Sequence, residues 1–162
     1  MKENVIKFGI PREKIRILEN PFFMTKYPSS VPIGKLVLYF GHMNEQKGVF
    51  TLLEAAKRLP NIPFLFCGTG PALPVIFTQS RWGNGLEALI ATAQIVVSPS
   101  KWPTPMEYST LESLAFGKAT LASNIGGNSS LIEDMVSGRL FAPGEVTDLT
   151  AKLEELYSKP AL

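Results

Sequence analysis

The residues with the clearest capacity for chemistry lie in two glycine-rich, polar stretches. Gly41 and Gly48 flank Lys47 in the first stretch, and Gly68 and Gly70 form the second; each stretch follows an apolar run of strand length. Glycine lets backbone amides approach a ligand closely, and a lysine supplies the cation that a phosphate group needs. The combination predicts a binding site for a phosphorylated ligand.

Two common phosphate-binding patterns do not fit these stretches. The dinucleotide fingerprint requires a third glycine three positions after Gly70, where Leu73 stands. A P-loop requires Gly-Lys followed by Ser or Thr, whereas the chain has Lys47-Gly48-Val49. The sequence therefore argues against a nicotinamide dinucleotide and excludes nucleotide hydrolysis by P-loop machinery.

A further candidate for anion binding is the start of a predicted helix. The amides of Tyr108, Ser109 and Thr110 open this helix, and the unpaired N–H groups of a helix N-terminus favour phosphate whatever the side chains are. The segment also fits a capping box, in which Ser109 caps the helix and Glu112 returns to the Ser109 amide. The two interpretations are compatible.

Strand and helix patterns alternate from residue 35 onward, which places all these residues on loops or helix starts. Predicted strands cover 36–40, 64–67, 95–98, 120–123 and 140–141, and predicted helices cover 49–59, 86–92, 110–116, 130–136 and 148–157. The pattern of residues 72–84 favours neither. Such alternation predicts an α/β fold with a doubly wound, Rossmann-like parallel sheet, in which ligands bind beyond the carboxyl ends of the strands.

Composition limits the remaining possibilities. The 162 residues carry 16 Lys plus Arg against 14 Asp plus Glu, a net charge of +2 without any block of like charges, so a nucleic-acid partner is not expected. Cys67 is the only cysteine, which excludes an internal disulfide and a multi-cysteine zinc site. No apolar run reaches the ~20 residues of a transmembrane helix. A cytoplasmic protein is the expectation.

A set of motifs in a fixed order carries a resemblance to a known family. The chain resembles the C-terminal, nucleotide-sugar donor-binding domain of the retaining GT-B fold glycosyltransferases of group 1, also called family 4. The motifs are Gly41-x5-Lys47-Gly48, Leu52-Leu53-Glu54-Ala55, Gly68-Thr69-Gly70-Pro71, Ala93-Gln94-Ile95-Val96-Val97-Ser98-Pro99-Ser100, Leu111-Glu112-Ser113-Leu114-Ala115-Phe116-Gly117-Lys118, Gly126-Gly127 and Glu133-Asp134-x3-Gly138.

The resemblance implies a domain organisation and partners. Residues 1–34 correspond to the segment that joins the two domains of such enzymes, and 35–162 to the Rossmann-like donor-binding half of a GT-B fold. The implied partners are a nucleoside diphosphate sugar and an N-terminal acceptor-binding domain, in the same or another chain. We expect a cytoplasmic protein, which the N-terminal acceptor-binding domain can hold at a membrane surface.

The resemblance also assigns roles around the diphosphate. Lys47 matches the lysine that grips the pyrophosphate, whereas His42 stands where the family usually has an arginine. Because histidine is shorter and largely neutral at pH 7, we expect a weaker phosphate grip. Gly41, Gly68 and Gly70 are expected to bring the backbone close to the nucleotide; a tight turn is the alternative for Gly68 and Gly70.

Two glutamates separated by seven residues form the family signature, and only the second is present. Glu112 matches the glutamate that binds the ribose hydroxyls, while the first, which contacts the donor sugar, is replaced by Thr104. Glu107 lies where the family usually has a glycine. It either substitutes for the missing glutamate with altered geometry or is a surface carboxylate. We take Lys47 and Glu107 as the candidate catalytic residues.

These assignments predict transfer of a hexose from a nucleoside diphosphate sugar to a hydroxyl acceptor, without metal or cofactor. The alternative is a degenerate, non-catalytic domain that acts as a nucleotide-binding or interaction module, which His42, Thr104 and the replacement of a further acid by Ser130 favour. Another GT-B-like enzyme, such as a sugar-nucleotide epimerase, fits the order of motifs less well.

Overall fold

A computed structural model describes residues 2–16, 34–71, 77–78 and 80–159. Within these ranges the strands are β1 (Leu36–Phe40), β2 (Phe64–Cys67), β3 (Phe77–Thr78), β4 (Ala93–Ser98), β5 (Ala119–Ser123) and β6 (Arg139–Phe141). The helices are α1 (Lys2–Lys7), α2 (Val49–Arg58), α3 (Leu86–Thr92), α4 (Tyr108–Ala115), α5 (Asn128–Leu131) and α6 (Val146–Ser158), with a 3₁₀ turn at Arg12–Lys14.

The strands form one parallel sheet in the order β3-β2-β1-β4-β5-β6. Strand order reverses between β1 and β4, because β1 pairs with β2 on one side, Val37 opposite Phe64, and with β4 on the other, Val37 opposite Ile95. This is the doubly wound, Rossmann-like order, and a crevice for ligands forms at such a reversal point. The predicted α/β fold class is confirmed.

Both faces of the sheet are buried, which follows from the alternation of side chains along each strand. Val37 and Tyr39 point to one face, where they belong to a core that includes Leu52 of α2 and Leu153 of α6. Leu38 and Phe40 belong to a second core. That core includes Leu86 and Ile90 of α3 and also Phe116. The two layers of helices therefore hold the carboxyl ends of β1 and β4 in fixed positions.

One predicted helix is wrong in position. The apolar spacing of residues 130–136 predicted a helix there, but α5 covers Asn128–Leu131 and the following residues form a turn. Met135 and Val136 are exposed, and Met135 has a φ of 69°. The Asp134 carboxylate accepts the Leu140 amide at 2.7 Å, which ties this turn to β6.

The predicted lead-in segment 1–34 is described only in part. Residues 2–16 form α1 and the 3₁₀ turn, and no side chain whose exposure is described there is buried. The assignment of this segment as an interdomain connection stays a prediction. In the described ranges no helix has the length and apolar character needed to cross a membrane.

Candidate functional site

Two adjoining clefts open at the carboxyl ends of the central strands. The β1–β4 cleft, of about 260 Å³, includes Lys47, Ser98 and Glu107 among its lining residues. The β1–β2 cleft, of about 320 Å³, includes Gly68 and Trp82. The two share a wall made of Phe40, Gly41, His42 and Glu112. The β1–β4 cleft lies where the sheet order reverses and the β1–β2 cleft adjoins it, so a single extended ligand can span both.

Lys47 is held at the β1–β4 cleft by the turn that precedes α2. The Lys47 amide donates to Asn44 Oδ1 at 2.8 Å, and the Gly48 amide donates to the Glu45 carbonyl. Gly48 has a φ of 68°, and a Cβ there would lie 1.8 Å from the Pro99 carbonyl oxygen. Only glycine lets the loop after β1 pack so closely on the loop after β4.

The Lys47 ammonium forms an ion pair with Glu107. Lys47 Nζ contacts both carboxylate oxygens, Oε2 at 2.8 Å. The Glu107 side chain is 5% exposed and that of Lys47 is 32% exposed. An ammonium has three N–H donors, and two of them point to Glu107. A third remains for an oxygen of a ligand in the cleft.

The Glu107 carboxylate accepts two further hydrogen bonds. Ser100 Oγ donates to its Oε1 at 2.9 Å and Thr104 Oγ1 donates to the same oxygen at 3.1 Å. Glu107 is thus a buried carboxylate whose hydrogen bonds come from neighbouring side chains, and its interpretation as a surface carboxylate is wrong. Because Oε1 already accepts from three side chains, the arrangement favours a role in orienting Lys47 over a direct contact with a sugar.

Thr104 is also fixed by the two glycines of the loop after β5. The Gly127 amide donates to the Thr104 carbonyl at 2.8 Å, and a Cβ on Gly126 would lie 2.4 Å from that same oxygen. Gly126 and Gly127 therefore serve close packing between loops. Thr104 lies behind Glu107, outside the residues that line either cleft.

Glu112 stands on α4 in the wall between the two clefts. Its Oε1 accepts the indole N–H of Trp82 at 2.9 Å. Burial raises the pKa of Glu112 to about 7, and the hydrogen bond from Trp82 opposes that shift in part. At neutral pH the carboxyl is thus close to half protonated, which makes its charge sensitive to whatever binds beside it.

The capping box predicted at Ser109 is wrong. Helix α4 begins at Tyr108 and its N-cap residue is Glu107, so Ser109 lies inside the first turn. Ser109 Oγ lies 3.4 Å from Ser98 Oγ, and the Glu112 carboxylate points to Trp82 instead of back to an amide. Glu112 is therefore available to the clefts and has no capping role.

Only part of the first turn of α4 lines the site. Tyr108 and Ser109 line the β1–β4 cleft. The Thr110 amide donates to the Glu107 carbonyl at 3.1 Å, and its buried hydroxyl donates to Asn128 Oδ1 at 2.8 Å. Thr110 thus supports the helix start and is not part of either cleft lining.

The remaining predicted residues differ in how they meet the clefts. His42 is exposed and borders both clefts, while its carbonyl accepts the Tyr39 hydroxyl at 2.7 Å. Gly68 lines the β1–β2 cleft, and a Cβ there would lie 1.9 Å from the Gly41 carbonyl oxygen. Gly70 is outside both linings and packs on the backbone of Met43.

The sequence offers Trp82 and Trp102 as loop tryptophans that either stack on a base or sugar or only bury surface area, and it gives no role to Ser100. Trp82 falls in the stretch 72–84, which has no helical or strand period, so no element could be used to place it. Ser100 is a small residue whose hydrogen bond to Glu107 depends on the burial of that carboxylate. Among the described residues no group of three or more His, Cys, Asp or Glu is placed to hold a metal ion.

Comparison with known proteins gives a consistent family assignment. A sequence model of the family described as "Glycosyl transferases group 1" matches residues 34–159. The sulfoquinovosyl transferase SQD2 of Arabidopsis thaliana is 28% identical over 138 residues, which are 77% of this chain and 27% of that protein. The chain spans 27% and 37% of the first two curated relatives.

Solved structures of low sequence identity share the fold. A mutant of S. aureus TarM, crystallised with Fondaparinux, alpha-GlcNAc-glycerol and UDP, matches with a TM-score of 0.83 at 18% identity, covering 98% of this chain and 35% of that one. Anabaena Alr3699/HepE, in complex with UDP and glucose, matches with a TM-score of 0.79 at 20% identity, covering 98% and 51%.

Proposed function

Since the chain belongs to the group 1 glycosyl transferases, we propose that it is the C-terminal, donor-binding half of a retaining GT-B enzyme of family 4. The proposed reaction moves a hexose from a nucleoside diphosphate sugar to a hydroxyl acceptor. The observation that carries this proposal is the pair of adjoining clefts at the strand-order reversal, with Lys47 in one and Glu112 in their shared wall.

The two clefts divide the donor between them. The nucleoside occupies the β1–β2 cleft, and the Glu112 carboxylate accepts hydrogen bonds from the ribose hydroxyls. The diphosphate and sugar occupy the β1–β4 cleft, where Lys47 and the amides at the start of α4 meet the phosphate oxygens. UDP is present in two structures of this fold, TarM and HepE, which makes it the first nucleotide to try.

In this proposal catalysis rests on positioning and charge. The bond between the anomeric carbon and the diphosphate oxygen breaks, and a bond to the acceptor oxygen forms on the same face of the sugar. The acceptor proton passes to the departing phosphate. Lys47, oriented by Glu107, stabilises the charge that develops on the leaving diphosphate. The acceptor is held by the other half of the enzyme.

The second candidate is a degenerate domain that binds nucleotide weakly and acts as an interaction module. Two observations favour it: the Lys47 ammonium is already paired with Glu107, and His42 replaces the arginine expected beside it. A phosphate must therefore compete with, or add to, an existing ion pair.

A thermal-shift panel of UDP, GDP, ADP and their common sugar conjugates tests the proposal. A ligand at ~100 times its Kd adds about 2.7 kcal/mol of stability, which corresponds to a rise in Tm of about 5 to 10 °C for a domain of this size. The donor-binding proposal expects a selective shift with one base. A folded sample that shows no shift with any of them supports the degenerate module instead.

A further inference from the structure

Trp82 lines the β1–β2 cleft, the proposed nucleoside side of the site, and contacts Glu112 there. Its indole N–H donates to Glu112 Oε1 at 2.9 Å, and its ring packs on Phe116 with a centroid distance of 6.1 Å. Trp82 is 44% exposed and lines the β1–β2 cleft. The N–H edge of the ring is thus held by Glu112 and the ring is supported by Phe116, while its exposed part faces the cleft.

A compact turn holds Trp82 in this position. The Asn84 amide donates to the Arg81 carbonyl at 2.8 Å, and the Gly83 amide donates to Glu87 Oε1 at 2.6 Å. Gly83 and Gly85 have φ values of 73° and 90°. The turn therefore delivers the indole to Glu112 from a direction that the backbone fixes.

The Glu112 carboxyl accepts this hydrogen bond in a site that contains both positively and negatively charged side chains. The other charged or titratable side chains that line one or both clefts are Lys47, Arg81, Glu107, His42, Tyr39, Tyr108 and Cys67. Burial disfavours the charged form of the Glu112 carboxyl, and the indole hydrogen bond favours it. Without the indole, the carboxyl would hold its proton to higher pH and rotate more freely.

We propose that Trp82 is a positioning residue, whose indole N–H orients the Glu112 carboxylate so that its other oxygen can accept the ribose hydroxyls. This inference rests on the proposed function, because it concerns the same nucleotide site. Trp82 acts only through its hydrogen bond to Glu112, and it takes no part in the transfer of the sugar.

The test is calorimetry of UDP binding to the full chain between pH 5.5 and 8.5, for the wild type and Trp82→Phe. The Phe variant keeps an aromatic ring on Phe116 and removes the N–H. We expect UDP affinity to rise with pH, and the midpoint of that rise to move upward by about one pH unit in Trp82→Phe. Trp102→Phe, at an exposed tryptophan outside both cleft linings, should leave the midpoint unchanged.

A second readout does not depend on nucleotide. The ¹H–¹⁵N signal of the Trp82 indole should titrate with a midpoint near pH 7 and lose this titration in Glu112→Gln, which assigns the titration to the Glu112 carboxyl. An indole signal that does not titrate, or a Trp82→Phe variant with the wild-type midpoint, overturns the inference. Absence of binding by any nucleotide, with a titrating indole, overturns the proposed function and leaves the hydrogen bond established.

Discussion

At the scale of single residues, Lys47 and Glu107 form the central pair of the site. The carboxylate is buried and accepts hydrogen bonds from Ser100 and Thr104 as well as from the ammonium. Because the carboxylate is buried, replacing Lys47 leaves it without a counter-charge, which is costly. The functional effect of each residue must therefore be measured on binding and on stability separately.

Lys47→Ala should weaken nucleotide binding about tenfold or more, because a charge-assisted contact to phosphate contributes roughly 1.5 to 3 kcal/mol. Calorimetry with the nucleotide that gives the largest thermal shift measures this loss. Lys57→Ala is the matched control, since Lys57 is exposed on α2 and pairs only with Glu54 among the contacts described. The double variant Lys47→Ala/Glu107→Gln removes the unpaired carboxylate; equal affinity of wild type and double variant would contradict the phosphate role.

Glu112 should make folding stability depend on pH. Its pKa is about 7 in the folded chain, against an ordinary value of 4.5. A raised pKa means that the folded state holds the proton more tightly, so the stabilisation is complete below about pH 4.5 and is lost as pH rises through about 7. Glu112→Gln should therefore lose less stability than the wild type between pH 5 and 8, as measured by urea unfolding.

The control for this measurement is Glu154→Gln, an exposed glutamate on α6. Its unfolding curve should keep the pH dependence of the wild type. If Glu112→Gln keeps it as well, the carboxyl of Glu112 titrates normally in the folded protein.

At the scale of elements, the loops after β1 and β4 depend on one close backbone contact. A Cβ at Gly48 would lie 1.8 Å from the Pro99 carbonyl oxygen, and the φ of 68° adds strain for any other residue. Gly117 has a similar φ of 62° but nothing within 4 Å of the position of a Cβ. A substitution at Gly117 therefore measures the cost of backbone strain alone, and a substitution at Gly48 measures that strain together with the steric clash.

Gly117→Ala should cost about 1 to 2 kcal/mol of unfolding free energy, the cost of the left-handed conformation alone. Gly48→Ala should cost clearly more, because backbone atoms must also move apart, and it should weaken nucleotide binding by displacing Lys47. Urea unfolding measures the loss of unfolding free energy in each of the two variants, provided that the m-value is unchanged. Equal losses in the two variants would show that the loops after β1 and β4 yield easily.

The sequence predicts correctly those strands and helices whose apolar residues follow one clear spacing from end to end. Strands β1 and β2 and helix α3 have the predicted bounds, because each strand is a short apolar run followed by Gly and the helix has a clear apolar period that ends at Thr92. Helix α5 could not be placed in this way. The apolar residues Met135 and Val136 that produced the helical period are exposed, and the turn that replaces the helix depends on the contact of Asp134 with β6.

The site was predictable in its location and only partly in its contacts. Glycines and Lys47 after parallel strands must meet at one edge of the sheet, and this part needs no tertiary detail. The pairing of Lys47 with Glu107, 60 positions apart, and the hydrogen bond from Trp82 to Glu112 depend on how loops fold over one another. No local pattern encodes such contacts.

At the scale of the whole molecule, the chain spans a minority of the length of its first curated relatives, 27% and 37%. The clefts open at one edge of a sheet whose two faces are already covered by helices. In the proposed function a second half faces this edge and brings the acceptor. In the proposed function this chain alone binds the nucleotide, at the carboxyl ends of β1, β2 and β4.

A titration of the ¹⁵N-labelled chain with UDP, or with whichever nucleotide gives the largest thermal shift, tests this claim most directly. Saturable changes should appear at the amides of Gly41, His42 and Ser109 and at the Trp82 indole, which border the two clefts. Signals of α6, on the opposite face of the sheet from α3, should stay in place. Changes confined to other surfaces, or none in a folded sample at millimolar nucleotide, would contradict the account.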